Sequence, residues 1–183
     1  MCYDSLMNYL AALLLLLEMA QSLAAPAVPS ALGVYYLQDD KTWISFPKAT
    51  FSETRANGLD LFVETGGWSN LGMESACPGA RSLARISSPR PIFYVREVVA
   101  PDKIMLIQLT RKKNSRIFHK STAHITVENA EGFPKEEIRK VAVANDSHGI
   151  LTVTPAADLK PGEFLLVLGN TTLSFDFGID RKK

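Results

Sequence analysis

The sequence predicts a mainly β domain, built as an antiparallel β-sandwich, with a small barrel as the alternative. After residue 31, apolar and polar residues alternate with a period of two along most of the chain, and this period is typical of strands. The alternating runs are short and are separated by turn residues, a spacing that favours a sandwich or a barrel. Only one stretch, near residues 134–142, has the spacing of a helix.

The N-terminus has the order of a secretory signal peptide. An apolar run from Tyr9 to Leu17 is followed by small residues, including Ser22 and Ala24, and then by Pro26. Such a run is too short for a mature membrane anchor. We therefore predict that residues 1–24 are a signal peptide and that the protein is exported, to the periplasm or outside the cell, without a mature transmembrane span. Initiation at Met1 or Met7, and cleavage or retention of the signal, both stay open.

The remainder is long enough for one domain and needs no second one. We predict a short N-terminal linker at 25–31 and a single β-rich domain at 32–183. Residues 1–24 contain Asp4 and Glu18 and no basic residue, which leaves 20 basic against 19 − 2 = 17 acidic side chains. This mild positive charge argues against a nucleic-acid partner.

The clearest local structure is an N-terminal β-hairpin. Residues 34–37 and 42–46 are rich in aromatic and β-branched side chains. The polar residues 38–41 between them form a tight connection of the kind that joins hairpin strands. By the same alternation, further strands are predicted at 48–54, 59–64, 82–87, 92–98, 103–110, 117–128, 150–154, 163–168 and 172–179.

Alternation within two of these strands predicts which side chains face the core. In the strand at 103–110, Met105, Ile107 and Leu109 form a uniformly apolar face. In the C-terminal strand, Phe175 and Phe177 lie on one face, and Ser174 and Asp176 lie on the other. We expect the apolar faces to point inward and the polar faces to point to solvent.

The segment 134–142 is predicted to form one short helix or helical turn. Pro134 suits a first helical position, acidic residues follow it, and Ile138 and Val141 lie three residues apart. Residues 141–143 also fit a strand.

Both ends of the predicted domain resemble one group of uncharacterised exported bacterial proteins. Those proteins close with a pattern of the type TP...L.PGEY...YDFGI; this chain has TP at 154–155, LKPGEF at 159–164 and FDFGI at 175–179. The GVYY sequence at 33–36 and the Trp43 hairpin resemble the opening of the same group. The resemblance implies an exported β-rich domain of bacterial origin. It leaves residues 48–90 uncovered and assigns no activity to any residue.

No catalytic, cofactor or metal motif is apparent. His119 and His124 are five residues apart, so on one strand they would point to opposite faces and could not bind one ion together. Cys77 is the only cysteine after residue 24, in a sequence typical of a loop, and is either free or in an intermolecular disulfide. We therefore predict no cofactor and no metal, and catalytic residues remain unknown.

A cluster of cations between two predicted strands is the candidate interaction surface. It consists of Arg111, Lys112, Lys113 and Arg116. A hairpin tip that presents them could engage a polyanion, a phosphate-rich lipid surface or an acidic glycan, while solubility is the simpler role. Trp68, in a glycine-rich loop, joins them as a candidate contact residue.

Two classes of function follow from these features. The first is a non-enzymatic β-sandwich that contacts an unknown protein or envelope component, favoured because catalytic groups are sparse. The second is a small-ligand binder or hydrolase-like enzyme, whose site would be assembled from distant residues such as Glu64, Trp68, His124 and His148. An enzyme is the less favoured of the two. The sequence predicts neither the partner nor the oligomeric state.

Overall fold

The computed structural model describes residues 26–39, 41–55, 72–121, 132–146 and 149–181. Within these ranges there are thirteen strands and a 3₁₀ turn at Pro101–Lys103. The strands are β1 (Gly33–Gln38), β2 (Thr42–Ser45), β3 (Ser52–Arg55), β4 (Gly72–Pro78), β5 (Arg85–Ile86), β6 (Phe93–Arg96), β7 (Ile104–Lys112), β8 (Ser115–Ser121), β9 (Ile138–Arg139), β10 (Val141–Asn145), β11 (Leu151–Pro155), β12 (Gly162–Leu168) and β13 (Asn170–Ile179).

The strands form two sheets packed face to face, which confirms the predicted β-sandwich. The first sheet has the order β10-β11-β6-β1-β2. The second has the order β3-β4-β8-β7-β12-β13-β5, with β9 paired to β7. All pairs are antiparallel except β13 with β5. Neither sheet closes into a barrel over the described residues, so the barrel alternative is not the fold.

The core between the two sheets is organised around aromatic rings. Phe177, on β13 of the second sheet, lies 4.8 Å from the ring centre of Phe93 on β6 of the first sheet. It also lies 5.5 Å from Phe164 and 6.3 Å from Phe46. All four rings are buried. The inward orientation predicted for Phe175 and Phe177 is therefore confirmed, and these rings hold the two sheets together by apolar burial.

The second sheet is buried on both faces in its centre. On β7, Ile104 and Leu106 face the core between the sheets. The alternate residues Ile107 and Leu109 face a second apolar cluster on the other side, together with Phe118. The face predicted to point inward is therefore apolar and largely buried, but it packs against the second cluster, and the opposite face is the one that points to the core between the sheets. A strand that is buried on both sides carries apolar residues at consecutive positions, as β7 and β12 do.

The second cluster exists because the second sheet curls over itself. Arg116 on β8 is three strands away from Asp176 on β13, a separation of about 14 Å in a flat sheet. Their side chains nevertheless meet at 2.5 Å, and Phe118 of β8 packs in the cluster that contains Leu165 of β12. The β3-β4-β8 part of the sheet therefore covers the outer face of the β7-β12-β13 part.

This curl changes the environment of the polar face of β13. Ser174 is fully buried and the Asp176 side chain is only 14% exposed. The expectation that this face points to solvent is wrong, because β8 lies over it and supplies Arg116 as a charge partner. A turn at Gly169, whose φ of 76° favours glycine, joins β12 to β13.

Of the short helix or helical turn predicted at 134–142, only a turn forms. Residues 135–137 form a hydrogen-bonded turn, in which the Glu137 N–H donates to the Pro134 carbonyl at 3.1 Å. The chain then continues as β9 and β10. Val141 and Val143 pair with β11 and pack against the core between the sheets, so the strand alternative for 141–143 is correct. β-branched side chains favour this pairing over a short helix.

The other predicted strands fall into three groups. The N-terminal hairpin is confirmed, with Tyr36 opposite Ile44, as are the strand at 150–154 (β11) and the first part of that at 117–128 (β8). Three predicted strands are shorter in the structure. Those at 82–87 and 92–98 contain only β5 and β6, and the one at 48–54 is replaced by β3, preceded by an isolated bridge at Lys48. The strand predicted at 59–64, the part of 117–128 after Ser121 and the signal peptide lie outside the described residues.

Residues 26–31, the described part of the linker predicted at 25–31, contact the outer face of the first sheet. The Trp43 indole donates to the Pro26 carbonyl at 3.2 Å, and the Tyr35 hydroxyl donates to the Ala31 carbonyl at 3.0 Å. Among the described residues there is no helix long and apolar enough to cross a membrane.

Cys77 lies in β4 rather than in a loop, and its side chain is buried beside Phe118. Burial, reinforced by the nearby Asp176 charge and partly opposed by Arg116, raises the pKa of its thiol to about 11.

We expect the Cys77 thiol of the folded protein to resist labelling by a thiol reagent at neutral pH, because it is both inaccessible and protonated. Labelling in denaturant should be complete. Mass spectrometry after timed labelling checks this, and rapid modification of the folded protein would contradict the buried position.

Candidate functional site

The most unusual group in the structure is a buried carboxylate. The Glu163 side chain, at the start of β12, is 0% exposed. Its Oε1 accepts hydrogen bonds from Arg85 Nη1 at 2.8 Å and from Arg111 Nη2 at 2.9 Å. Its Oε2 accepts from the Ser82 backbone N–H at 2.8 Å and lies 3.7 Å from Arg116 Nη1. A buried charge requires such partners, and Glu163 has them on both oxygens.

Two further carboxylates hold the arginines in place. Asp176 accepts from Arg116, whose other terminal nitrogen donates to the Pro78 carbonyl at 2.8 Å. Asp180 accepts from Arg85 Nη2 at 2.7 Å and from Arg81 Nη2 at 2.5 Å. The guanidinium of Arg85 therefore bridges the buried Glu163 and the half-exposed Asp180. These contacts orient the arginines before any ligand arrives.

Glu163 is ionised in this setting. Burial alone would raise the pKa of its carboxyl, but hydrogen bonds from the Ser82 N–H, Arg111 and Arg85 outweigh burial and lower the pKa below its usual range. The pKa of Asp180 is also lowered, chiefly by its hydrogen bond from Arg85. A carboxylate with a lowered pKa and occupied oxygens is poorly suited to proton transfer near neutral pH. Glu163 instead positions cations.

Because the pKa of Glu163 is lowered in the folded state, its contribution to stability depends on pH and is lost in acid. That contribution is fully present above the ordinary pKa of glutamate, about 4.3, and is lost as the pH falls through the lower pKa of the folded state. We expect the difference in unfolding free energy between wild type and Glu163→Gln to be constant near neutral pH and to shrink as the pH falls below about 5. Urea titrations along this range measure it, and a difference that grows in acid would contradict the assignment.

Gly178 leaves the space that Arg85 occupies. A Cβ added at Gly178 would lie 1.6 Å from Arg85 Nη1, so any side chain there must displace the guanidinium from Glu163 and Asp180.

We expect Gly178→Ala to destabilise the fold by roughly 1.5–3 kcal/mol, the contribution of one hydrogen bond to a charged group, since Glu163 Oε1 keeps its bond from Arg111. Gly162→Ala, also in a strand of the second sheet, is the comparison for the general effect of the substitution, since its φ is not positive and an added Cβ meets only ordinary contacts of 3.6 Å or more. Chemical denaturation of both variants measures the effect. Unchanged stability in Gly178→Ala would show that moving Arg85 away from Glu163 and Asp180 does not lower the free energy of unfolding.

The arginines surround a cleft of about 420 Å³ at this end of the second sheet. Its charged lining consists of Arg81, Arg85, Arg111, Arg181, Glu163 and Asp180. We call this feature the arginine cleft. Four cations against two carboxylates leave it with a net positive charge, and the Arg81 and Arg111 side chains are 57% and 53% exposed.

The arginine cleft has unused hydrogen-bond donors. A guanidinium carries five N–H groups, and within the described part of the chain Arg111 donates one of them, to Glu163. Guanidinium groups match carboxylate and phosphate oxygens in pairs. The arrangement is therefore chemically suited to bind an anionic group of a ligand.

Comparisons with known proteins give no relative: no family model, no curated protein and no solved structure matches this chain.

The predicted interaction residues are divided by the structure. Arg111 belongs to the arginine cleft, and Lys112 pairs with Glu74 at 2.9 Å on the adjoining surface. Lys113 is exposed at the β7–β8 turn, with a φ of 54°. Arg116 does not join them at the surface, because its side chain is only 4% exposed and points into the charged layer below. Trp68 lies outside the described residues.

The structure does not test the site that the enzyme hypothesis would assemble from distant residues. Glu64, His124 and His148 lie outside the described ranges. His119 is exposed and its Nδ1 lies 2.6 Å from Glu137 Oε1. Over the described residues, no group of three or more His, Cys, Asp or Glu side chains is placed to hold a metal ion.

The sequence interpretation missed Arg81, Arg85 and Glu163. One signal was available for Glu163, because it directly precedes the continuous apolar run FLLVL at 164–168. A run of this kind indicates a strand buried on both faces, and a charge at its edge needs a buried partner. The partner itself could not be found locally, since Arg85 is 78 residues away.

Proposed function

We propose that this protein is an exported, non-enzymatic β-sandwich that uses the arginine cleft to bind a carboxylate or phosphate group of a periplasmic or cell-envelope partner. The observation that carries the proposal is the orientation of Arg85 and Arg111 by the buried, ionised Glu163. Because these side chains are already ordered, binding an anion costs little further side-chain entropy. Export rests on the predicted signal peptide at 1–24 and on the resemblance of both chain ends to exported bacterial proteins.

Binding by this cleft is tested with two simple anions. NMR spectra of the protein, expressed from its full-length reading frame, are recorded during titration with inorganic phosphate and, separately, with a short polyglutamate peptide. Saturable shifts of the Arg81 and Arg111 side-chain N–H signals are expected with at least one anion. The anion that binds identifies whether phosphate or carboxylate groups are preferred. Absence of saturable shifts with both would overturn the proposal.

A matched pair of double variants separates the cleft from general charge. Arg81→Gln with Arg181→Gln removes two cations from the cleft and leaves the partners of Glu163 intact. Lys41→Gln with Lys48→Gln removes the same charge from exposed positions elsewhere. We expect about tenfold weaker anion binding in the first variant, equivalent to about 1.4 kcal/mol, and none of that loss in the second. Equal weakening in both would indicate nonspecific attraction and contradict a defined site.

Export is tested on the same preparation. The mature N-terminus of protein recovered from the exported fraction is expected at Ala25 by mass spectrometry. A chain that stays inside the cell with residues 1–24 attached would contradict the exported location.

A further inference from the structure

A second concave site lies at the open end of the sandwich, apart from the arginine cleft. Two segments cross there between the sheets: residues 138–143, which leave β9 for β10, and residues 156–161, which lead from β11 to β12. The Ala156 N–H donates to the Lys140 carbonyl at 2.8 Å and ties the two crossings together. Between them is a groove of about 460 Å³. We call it the crossover groove.

The crossover groove reaches the apolar core. Its lining includes Phe164 and Leu159, which belong to the core between the sheets and are 1% and 6% exposed. Ile138, Ala156 and Ala157 add apolar wall, and Gln108 adds one polar group. Its volume lies in the range of about 300–1,000 Å³ that is common for small-molecule sites. An apolar chain placed there would gain dispersion contacts and remove apolar surface from water.

The rim of the same groove is positively charged. Arg139, Lys140 and Lys160 line it, with Asp158 as the opposing acid. Arg139 is held by hydrogen bonds to the Gln108 side chain and to the Glu136 carbonyl. Lys140 and Lys160 are exposed, and neither forms an ion pair with a described residue. An excess of cations beside an apolar floor is complementary to a molecule with an apolar body and one negative charge.

We propose that the crossover groove binds a single-chain amphipathic carboxylate, with its alkyl chain against Phe164 and Leu159 and its carboxylate between Lys140 and Lys160. The apolar floor selects for the chain, and the lysines select for the charge. This site is independent of the arginine cleft, because Glu163 and Phe164 are neighbours on β12 and point to opposite faces of the sheet.

Three probes test both parts of the ligand. The protein, expressed from its complete coding sequence, is titrated in a calorimeter with decanoate, with decanol and with acetate. Saturable decanoate binding is expected, with decanol at least about tenfold weaker and acetate not detectable. Equal binding of decanol and decanoate would overturn the role of the lysines. Absence of decanoate binding would overturn the site.

Variants assign the binding to this groove. Ala157→Trp places an indole in the groove and should weaken decanoate binding at least about tenfold; Ala142→Trp, at an exposed position on β10, should not. Lys140→Gln with Lys160→Gln should weaken decanoate about tenfold and leave decanol unchanged, whereas Lys41→Gln with Lys48→Gln should change neither. The lysine pair tests the site without altering its packing. If neither Ala157→Trp nor the Lys140→Gln and Lys160→Gln pair weakens decanoate binding, the ligand binds elsewhere and the proposal is overturned.

The outcome is distinguishable from that of the proposed function. Arg81→Gln with Arg181→Gln should keep full decanoate affinity while losing phosphate or polyglutamate binding. Loss of decanoate binding in that variant would contradict two independent sites.

Discussion

Glu163→Gln is expected to destabilise the folded protein by about 3–5 kcal/mol, the usual range for removing one member of a buried ion pair. The amide has nearly the same shape, so packing is retained while the negative charge is lost. Arg116, which is 4% exposed, and Arg85, which is 22% exposed, would then keep their positive charges with less compensation. Urea unfolding, with the slope checked against wild type, measures this loss.

The control for Glu163→Gln is Glu74→Gln. Glu74 also pairs with a cation, Lys112 at 2.9 Å, but the lysine is 58% exposed and Glu74 itself is 28% exposed. Surface pairs of this kind contribute about 0–1 kcal/mol. Similar losses in the two variants would mean that burial does not strengthen the Glu163 network, and would contradict its central role among the arginines.

Phe177→Ala is expected to cost about 3–5 kcal/mol, because it opens a cavity where the two sheets meet. The ring contacts aromatic side chains of both sheets, and the surrounding strands cannot collapse into the space without breaking their pairing. Chemical denaturation measures the loss. Val98→Ala is the matched truncation at a fully exposed side chain and should change stability by less than about 0.5 kcal/mol. A loss of that small size at Phe177 would contradict its central position in the core.

Local sequence patterns were sufficient to predict many strands of the sandwich. The N-terminal hairpin and the strands that became β12 and β13 have strong alternation or continuous apolar runs, and each pairs with a neighbour in sequence. β4 was missed because Cys77, Pro78 and Gly79 have the composition of a loop. Pro78 is in fact the last residue of that strand.

Other features depend on contacts between distant parts of the chain. Ile138 and Val141 satisfy the spacing of a helix as well as that of strands, and pairing of Val141 with Pro155 decides between them. The density of charge at 111–116 identified Arg111, but it could not show that Arg116 points inward toward Asp176, 60 residues away. No local spacing encodes the curl that brings these two strands together.

The position of β13 also bears on when the chain can fold. This strand supplies Phe175 and Phe177 to the core between the sheets, and Asp176 partners the buried Arg116. A nascent polypeptide that has not yet reached β13 therefore lacks both the rings that close the core and the nearest charge partner of Arg116. Most contacts in the folded domain join residues that are far apart in sequence, and such contacts slow folding. The domain is therefore expected to reach its folded state only after β13 has been synthesised.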